Sequence, residues 1–388
     1  MDKGCRVCGK RLFDEPLLLY KNMPKVAQYF PDDKTVDSDV GEDLKIFQCS
    51  GCGLVQLNSE PVPYYREVVR ANGVSPEMTE FRVKQFKEFV NKFGLINKNI
   101  IEIGCGKGES MSIVEPFGVN VYGLEDSQES VDLCKRNNLK VIKGFIDSDQ
   151  YRINEFNFDA FYILNFLEHL PDPNVILTGI YNNLTVDGVG IVEVPNFDMI
   201  LKKNLFSEFT RDHLFYFTRE TLVSLLEVNG FELLSCEPVW HDYIISAVVR
   251  KRSRMRIDHF YENQRKLKEE IDLFLEKYKK EKVAIWGAGH QALAVMAMME
   301  LTNRVKYVVD SAPFKQGKYT PSTHIPIVSP DNLDIDPVEA VIVMAASYSD
   351  EVAGIIRRKY GNKIDISILR ETGLVKYPFS GIFIIRRE

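Results

Sequence analysis

The amino-terminal part of the chain carries four cysteines whose spacing suits metal binding, and they are Cys5, Cys8, Cys49 and Cys52. They form two C-x-x-C pairs, which bring four thiolates within reach of one tetrahedral zinc ion. Gly9 and Gly53 follow the pairs, and glycine there lets the backbone turn so that its amides approach the sulfurs. Neither pair opens a helix after a central strand, as a thioredoxin-type redox site would. Because protein fills all four positions, the sequence predicts a structural zinc site.

A second group of residues suited to chemistry lies in I-I-E-I-G-C-G-K-G, residues 100 to 108. An apolar strand runs into a turn whose glycines leave the backbone open to a ligand, and the following helix offers free amides. The spacing is G-x-G-x-G, whereas a dinucleotide turn has G-x-G-x-x-G. An acid just inside the strand suits a cationic amine better than a pyrophosphate, which favours S-adenosylmethionine. The residues expected to bind it are Glu102, Gly104, Gly106 and Gly108.

The strands after this turn supply further candidates for cofactor binding. The next strand ends in G-L-E-D, and Glu125, about 20 residues past the turn, can accept hydrogen bonds from both ribose hydroxyls. A later strand, F-D-A-F-Y-I-L-N, ends at Asn165, and His169 follows in E-H-L-P-D-P. This order of acid, glycines and strand ends predicts that Glu125, Asn165 and His169 bind S-adenosylmethionine together with the glycine turn. The alternative is a doubly wound domain that binds an unrelated nucleotide.

The overall composition restricts the class of protein. The 388 residues include 45% hydrophobic and 27% charged residues, which is typical of a globular chain with two or three domains. A net charge of -6 argues against a nucleic-acid partner, since phosphate binding needs concentrated lysine and arginine. The sequence contains no apolar stretch of about 18 residues and no signal-peptide pattern. We therefore expect no membrane partner, a cytoplasmic location with reduced cysteines, and a monomer.

The elements that must position these residues alternate between helix and strand. Residues 1–75 have few apolar runs and are expected to need zinc to fold. Residues 76–252 alternate in a way that predicts a parallel sheet with helices on both faces. Residues 253–388 start with a charged helix, 257–282, interpreted as a connector, and then repeat the alternation. The predicted fold class is α/β, with a doubly wound sheet, a small zinc-binding domain before it and a Rossmann-like domain after it.

Several of these motifs together resemble a known family. E-x-G-C-G-x-G, the acid at 125 and N-F-L-E-H-L-P-D-P look like a class I S-adenosylmethionine-dependent methyltransferase. The cysteine pairs with G-L-V-Q, the segment D-H-L-F-Y-F-T, and the later G-A-G and K-Q-G-K-Y-T-P-S-T-H-I-P-I look like a narrower group. That group is the three-domain sugar C-methyltransferases. The resemblance covers nearly the whole chain and implies C-methylation of a nucleotide-linked keto-deoxysugar.

The resemblance implies roles for F-S-E-F-T-R-D-H-L-F-Y-F-T, residues 206–218. Forming a carbon–carbon bond requires an enolate, so a base must stand beside a carbon next to a carbonyl, and histidine titrates in the right range. The family's histidine in this segment is thought to be the general base, and it matches His213. Asp212 and Tyr216 would orient the base or hold the sugar. His169 competes with His213 for direct catalysis, although its motif also occurs in methyltransferases with other substrates.

Two tyrosines, Tyr64 and Tyr65, match the tyrosine-rich active-site segment of the family only loosely. The family usually has Y-x-Y-x-S, whereas this chain reads P-Y-Y-R-E-V-V-R-A-N-G. From the resemblance we expect Tyr64 to bind the substrate and Tyr65 to take part in catalysis. A surface pair of tyrosines is the alternative.

A second glycine turn, V-A-I-W-G-A-G-H-Q-A at 283 to 292, has the nucleotide-binding spacing G-x-G-x-x-A. An acid ends the following strand about 20 residues on, where it could meet a ribose hydroxyl. The turn could hold a nicotinamide cofactor or serve the fold alone. The resemblance implies instead that this part binds the nucleotide end of the sugar. The candidate residues are Gly287, Gly289, Asp310, Lys315, Lys318 and Tyr319.

Two other functions remain open from the sequence. A zinc ribbon could guide methylation of RNA or protein, although the acidic charge and the lack of a D/N-P-P-Y pattern argue against it. The chain could also be a nicotinamide-dependent oxidoreductase or a binding scaffold. The glycine spacing at 104 to 108 favours methyl transfer over both.

Overall fold

The computed structural model describes residues 4–28, 30–67 and 75–378. The chain divides into two units, Met1–Arg254 and Met255–Glu388. The segments predicted to bind zinc and to form the methyltransferase domain both lie in the first unit. Among the described residues, every helix is too short or too polar to cross a membrane.

The first unit contains two sheets with helices packed against them. In chain order, its first elements are β1 Leu18–Met23, β2 Glu42–Gln48, β3 Val55–Leu57, α1 Pro76–Phe93, β4 Asn99–Ile103, α2 Glu109–Val114, β5 Asn120–Glu125, α3 Gln128–Arg136 and β6 Val141–Lys143. The remaining ones are β7 Phe158–Leu164, α4 Pro173–Asn182, β8 Leu184–Pro195, α5 Phe197–Lys203, β9 Phe215–Tyr216, α6 Arg219–Val228, β10 Phe231–Val239 and β11 Ile244–Lys251.

The larger sheet has seven strands in the order β10-β11-β8-β7-β4-β5-β6. From β8 to β6 the strands are parallel, as the alternation of helix and strand predicts. The order reverses beside β4, so the carboxyl ends of β4, β5 and β7 border the place where ligands bind in such sheets. The structure differs from the expected parallel sheet at one edge, where β10 and β11 run antiparallel. The turn joining them, Trp240–His241–Asp242, has positive φ without glycine, so it lacks the residues that usually indicate a hairpin.

Helix α1 is capped at both ends. The Ser75 hydroxyl accepts a hydrogen bond from the Met78 amide and caps the first turn, and Gly94 ends the helix with φ of 61°. Its apolar face includes Phe86 and Phe89, which pack in the core beneath the larger sheet. The helix therefore brings its polar residues near the strand ends described below.

The smaller sheet joins the amino-terminal segment to a distant part of the chain. Its order is β1-β2-β3-β9, with Val55 paired with Tyr216 and Gln56 with Phe215. The Leu57 amide also donates to the carbonyl of Leu214 at 2.9 Å. Because β9 begins two residues after the predicted base, the pairing of β3 with β9 links the cysteine-bearing segment to the part of the chain that carries His213.

The second unit is another α/β layer structure. Its elements are α7 Asp258–Leu275, β12 Val283–Trp286, α8 His290–Met298, β13 Tyr307–Val309, β14 Ile327–Val328, α9 Asn332–Ile335, β15 Ala340–Val343, α10 Ser349–Tyr360, β16 Asp365–Arg370 and β17 Gly373–Lys376. Its sheet has the order β14-β13-β12-β15-β16-β17, parallel except for β17. The charged helix predicted as a connector is α7, and its buried residues Ile271 and Phe274 belong to the core of this unit.

Candidate active site

The four predicted zinc ligands place their sulfur atoms within 4.8 Å of one another, and they are Cys5, Cys8, Cys49 and Cys52. The Cys5 and Cys52 sulfurs are 3.7 Å apart, and the Cys8 and Cys49 sulfurs are 3.4 Å apart. Sulfurs at about 2.3 Å from a central zinc ion lie about 3.8 Å apart, so the cluster has nearly the size of a tetrahedral site. Amides two residues after Cys5 and after Cys49 donate to those sulfurs, at 3.4 and 3.3 Å. The donor set and its dimensions fit zinc.

The first glycine turn adopts a conformation that requires glycine. Gly104, Gly106 and Gly108 have φ of 70°, 55° and 85°. A Cβ atom on Gly104 would lie 2.5 Å from the ring of Phe166, and one on Gly108 would lie 2.4 Å from Leu139. Side chains are therefore excluded at Gly104 and Gly108, and the backbone at the glycines can come close to a ligand.

Glu125 closes this turn from the neighbouring strand. Its Oε2 accepts a hydrogen bond from the Gly106 amide at 2.8 Å, and its Oε1 accepts one from the Ser127 amide at 2.8 Å. The side chain is buried, and burial raises the pKa of the carboxyl while the backbone amides lower it. Each carboxylate oxygen has a further lone pair, so Glu125 can hold the turn and still accept ribose hydroxyls.

Glu102 and Asn165 lie on adjacent strand ends of the larger sheet. Glu102 is buried and paired in register with Tyr162, so both side chains lie on the face covered by α1. The Asn165 backbone has φ of 48°, and its amide donates to the Glu193 carbonyl at 2.9 Å. Its Oδ1 is buried and has no hydrogen-bond partner among the described residues. An acceptor of this kind suits a cationic amine.

The structure brings together the residues predicted for catalysis. The rings of His169 and His213 meet edge to face with centroids 4.8 Å apart. The Asp212 carbonyl lies 2.9 Å from Nδ1 of His169, and the Asp212 carboxylate accepts a hydrogen bond from the Tyr64 hydroxyl at 2.9 Å. Burial, with a contribution from His169, lowers the pKa of His213 to about 3, and burial also lowers that of His169. Both imidazoles are therefore neutral at physiological pH, which is the form that can accept a proton.

Tyr216 and Tyr65 have partners of a different kind. The buried Tyr216 hydroxyl donates to the Thr210 carbonyl at 3.1 Å and accepts from the Thr210 amide at 2.9 Å, so it fixes the loop before His213. The Tyr65 ring packs edge to face on Phe145, just after β6, and its hydroxyl accepts from Arg66 at 3.1 Å. Of the two adjacent tyrosines, Tyr64 is thus the one that contacts the segment carrying His213, through Asp212. The rest of that motif, 68–74, lies outside the described residues.

The second glycine turn repeats the arrangement of the first. The Ala288 amide donates to Oδ2 of Asp310 at 2.8 Å, as Gly106 does to Glu125. A Cβ atom on Gly287 would lie 2.5 Å from the Met344 carbonyl oxygen, so this turn also requires glycine. Among the remaining candidates for substrate binding, Gly289 has open space around it, Lys315 pairs with Asp310 at 2.9 Å, and Lys318 and Tyr319 are exposed.

Comparisons with known proteins agree with this geometry. Residues 78–236 match the family described as a methyltransferase domain, and residues 250–363 match the C-methyltransferase C-terminal domain. The chain is similar to the C-methyltransferase NovU of Streptomyces niveus, with 21% identity over 384 residues that cover 90% of both proteins. The chain belongs to the S-adenosylmethionine-dependent C-methyltransferase family.

Other relatives of this C-methyltransferase match it over shorter lengths. The ubiquinone biosynthesis O-methyltransferase of Actinobacillus pleuropneumoniae is 30% identical over 107 residues, which are 25% of this chain and 45% of that protein. Among solved structures, a putative S-adenosylmethionine-dependent methyltransferase from Listeria monocytogenes aligns with a TM-score of 0.37 and 16% identity, over 44% of this chain and 98% of that one. The similarity to NovU, by contrast, extends along nearly the whole C-methyltransferase.

A buried ion pair of this C-methyltransferase was not predicted from the sequence. Arg82 on α1 contacts Oε2 of Glu193 at 2.5 Å, and both side chains are buried. Gln85 donates to the other oxygen of Glu193 at 2.5 Å and to Ser246 at 3.3 Å. Glu193 is paired in register with Leu164, next to the strand end that carries Asn165. An arginine on the apolar face of α1 was the available signal, because such a residue needs a buried partner.

Replacing Arg82 with methionine should destabilise the first unit by about 3–5 kcal/mol, because it leaves the Glu193 carboxylate buried without its cation. Thermal unfolding measures the effect, and Lys84→Met, an exposed change on the same helix, is the matched control. The double variant Arg82→Met/Glu193→Met should recover much of the loss. A single variant as stable as the control would contradict this account.

Replacing Glu125 with glutamine should weaken binding of S-adenosylhomocysteine about 10- to 100-fold, since hydrogen bonds to a charged group contribute about 1.5–3 kcal/mol. The amide group would also face a backbone N–H of the turn and could not accept from it. Calorimetry with S-adenosylhomocysteine measures the change, with the exposed Glu129→Gln on α3 as control. Equal affinity in both variants would exclude Glu125 from the cofactor site.

Proposed function

We propose that this C-methyltransferase methylates a carbon next to the ketone of a nucleotide-linked keto-deoxysugar. The observation that carries the proposal is the contact between two half-buried histidines, His169 and His213, whose ring centroids lie 4.8 Å apart and whose pKa values are both lowered by desolvation. The substrate class comes from the sequence motifs shared with the sugar C-methyltransferases. The full-length similarity to NovU supports the reaction type.

Different residues of the chain would bind the methyl donor and remove the acceptor proton. Bound S-adenosylmethionine supplies an electrophilic methyl group on a sulfonium. The glycine turn, Glu102, Glu125, Asn165 and His169 would hold it in place. His213 would remove the proton next to the ketone, and the Tyr64–Asp212 hydrogen bond would keep the segment that carries His213 in position. Because the methyl group is already activated on the sulfonium, we expect the positioning of donor and acceptor to supply much of the rate enhancement.

The cysteine cluster and the second glycine turn would have supporting roles. The cysteine cluster would bind a structural zinc ion and take no part in chemistry. The second glycine turn would hold the nucleotide of the sugar, with Asp310 facing the ribose and Lys315, Lys318 and Tyr319 near the phosphates. Lys315 would have to leave its contact with Asp310 to do so. We also propose a cytoplasmic monomer that acts on a small molecule.

The test of this function is incubation with labelled S-adenosylmethionine and a panel of nucleotide-linked 4-keto-6-deoxysugars. Mass spectrometry should find one added methyl group on a sugar carbon next to the ketone. Label transferred to RNA or protein instead would support guided methylation. Protection against thermal unfolding by a nicotinamide nucleotide, with none from S-adenosylmethionine, would support an oxidoreductase and contradict the proposal.

A further inference from the structure

A side chain from the first cysteine pair reaches the turn that carries His169. Arg6 lies between the two cysteines of that pair. Its Nη1 donates to the Pro171 carbonyl at 3.2 Å, and its Nη2 donates to the Ser59 carbonyl at 2.8 Å. Pro171 comes two residues after His169, and Ser59 comes two residues after the end of β3. One guanidinium thus joins β3 to the turn that follows β7.

The backbone of Arg6 is held by the same two parts of the chain. Its amide donates to Oε1 of Gln56 at 3.1 Å, and Gln56 is a buried residue of β3 paired in register with Phe215 of β9. On the other side, Nδ2 of Asn174 donates to the carbonyls of Arg6 and Val7 at 3.2 and 2.9 Å. Asn174 lies in the first turn of α4, directly after the turn that carries His169. Arg6 is therefore fixed between β3 and the start of α4.

These two parts of the chain also hold the two histidines. β3 pairs with β9, which begins two residues after His213, and the turn after β7 contains His169. The Leu214 amide donates to the Glu168 carbonyl at 2.8 Å, and Nδ1 of His169 lies 2.9 Å from the Asp212 carbonyl. These contacts hold the start of the turn, and Arg6 holds its end. A shift of the turn relative to β3 would change how the two imidazoles face each other.

The chemistry of arginine fits this role. A guanidinium is planar and has five N–H donors in a fixed fork, so it can donate to carbonyls of two different segments at once. The ammonium of a lysine is a compact charge on a flexible stem and would not fix both acceptors. Both acceptors of Arg6 are backbone carbonyls, which do not titrate. The contact therefore orients the turn without depending on pH.

We propose that Arg6 is a positioning residue that sets the separation of His169 and His213. The proposal rests on the proposed function, in which His169 helps to hold the methyl donor and His213 removes the acceptor proton. The side chain of Arg6 contacts protein carbonyls, so it acts on the reaction through the two histidines. Loss of these contacts would misplace the base relative to the methyl group, and a misplacement of about 1 Å can lower a rate about 100-fold.

The first test is kinetic and uses Arg6→Met, which keeps the apolar stem of the side chain and removes its donors. With the panel member that wild type methylates, turnover should fall about 10- to 100-fold. The affinity for S-adenosylhomocysteine should fall less, since the glycine turn and Glu125, which are proposed to bind the donor, lie on other elements. Arg6→Lys keeps the charge and can reach one carbonyl, so it should recover part of the turnover. Steady-state kinetics and calorimetry separate the two effects.

The matched control is Arg11→Met, a change at an exposed position of the same segment, which should behave like wild type. Metal content is measured by mass spectrometry, and both Arg6 variants should hold as much metal as wild type. If Arg6→Met loses metal, Arg6→Lys serves as the test variant. Loss of metal from both would show that the contact serves the folding of the cysteine cluster, and it would overturn the proposal.

A second measurement needs no sugar. The rings of His169 and His213 meet edge to face, so each lies in the ring current of the other and its NMR signals report their separation. In protein with labelled histidine, Arg6→Met should shift the ring signals of these two residues and leave those of the other histidines in place. The variants His169→Asn and His213→Asn assign the signals.

Wild-type turnover in Arg6→Met that retains its metal, or unshifted signals of His169 and His213, would overturn the positioning role. Equal losses of turnover and of S-adenosylhomocysteine binding would indicate a general effect on the first unit and would also overturn it. Failure of wild type to methylate any member of the sugar panel counts against the proposed function instead. The NMR signals then still decide whether Arg6 sets the separation of the two imidazoles.

Discussion

Replacing His213 with asparagine should lower turnover about 100- to 10,000-fold, the usual contribution of a general base, and leave affinity for S-adenosylhomocysteine unchanged. The imidazole is neutral because it is buried, so it can accept a proton, and the asparagine amide cannot. The residues proposed to bind the donor lie on other elements, the glycine turn after β4 and Glu125 on β5. Steady-state kinetics and calorimetry on the same preparation separate the two effects.

The control for this variant is His259→Asn, a change at an exposed position of the second unit. It should behave like wild type in both measurements. Turnover retained by His213→Asn would remove this residue as the base. A parallel loss of donor affinity would instead indicate that the substitution disturbs the fold.

Removal of the proposed zinc ion should abolish turnover while reducing donor binding less. Structural zinc ions contribute about 10–16 kcal/mol to the folding of small domains, and the cysteine-bearing segment supplies β3, the strand with which β9 pairs. If the four cysteines hold zinc as proposed, its removal takes away the support of β3 and, with it, the support of the segment that carries His213. The double variant Cys49→Ser/Cys52→Ser makes the test, with metal content measured by mass spectrometry.

For comparison, Lys45→Ser places a new side chain on an exposed position of β2 in the same sheet and should keep both zinc and activity. Wild-type turnover in a zinc-free Cys49→Ser/Cys52→Ser protein would show that the ion does not stabilise the catalytic segment. Loss of S-adenosylhomocysteine binding equal to the loss of turnover would show that it stabilises the whole first unit.

The parts of the fold that were predictable from the sequence are those determined by residues close together in the chain. Helix α1, with Gly94 at its end, and the strand leading into Gly104 follow from periodicity and turn residues. The hydrogen bond from Gly106 to Glu125 joins residues of one βα unit, so their spacing was informative. The antiparallel edge of the larger sheet depends on how a hairpin docks on β8, which periodicity does not determine.

The candidate site was predictable to a similar degree. The cysteine pairs could be matched because a zinc ion demands four ligands. The contacts of Tyr64 with Asp212 and of Arg82 with Glu193 join segments far apart in the chain. The local sequence of one segment does not identify the residue that it contacts in the other.

The pairing of Val55 with Tyr216 restricts how this enzyme can be recombined with its relatives. A chimera that exchanges the cysteine-bearing segment alone would match one protein's β3 with another protein's β9, and the position of His213, the proposed base, would be affected by any mismatch. Exchanging residues 1–67 together with 206–218 keeps both halves of that contact from a single parent. We therefore expect the acceptor preference of a chimera to match that of the parent that supplies residues 1–67 and 206–218. Its affinity for the methyl donor should match that of the parent that supplies the remaining strands.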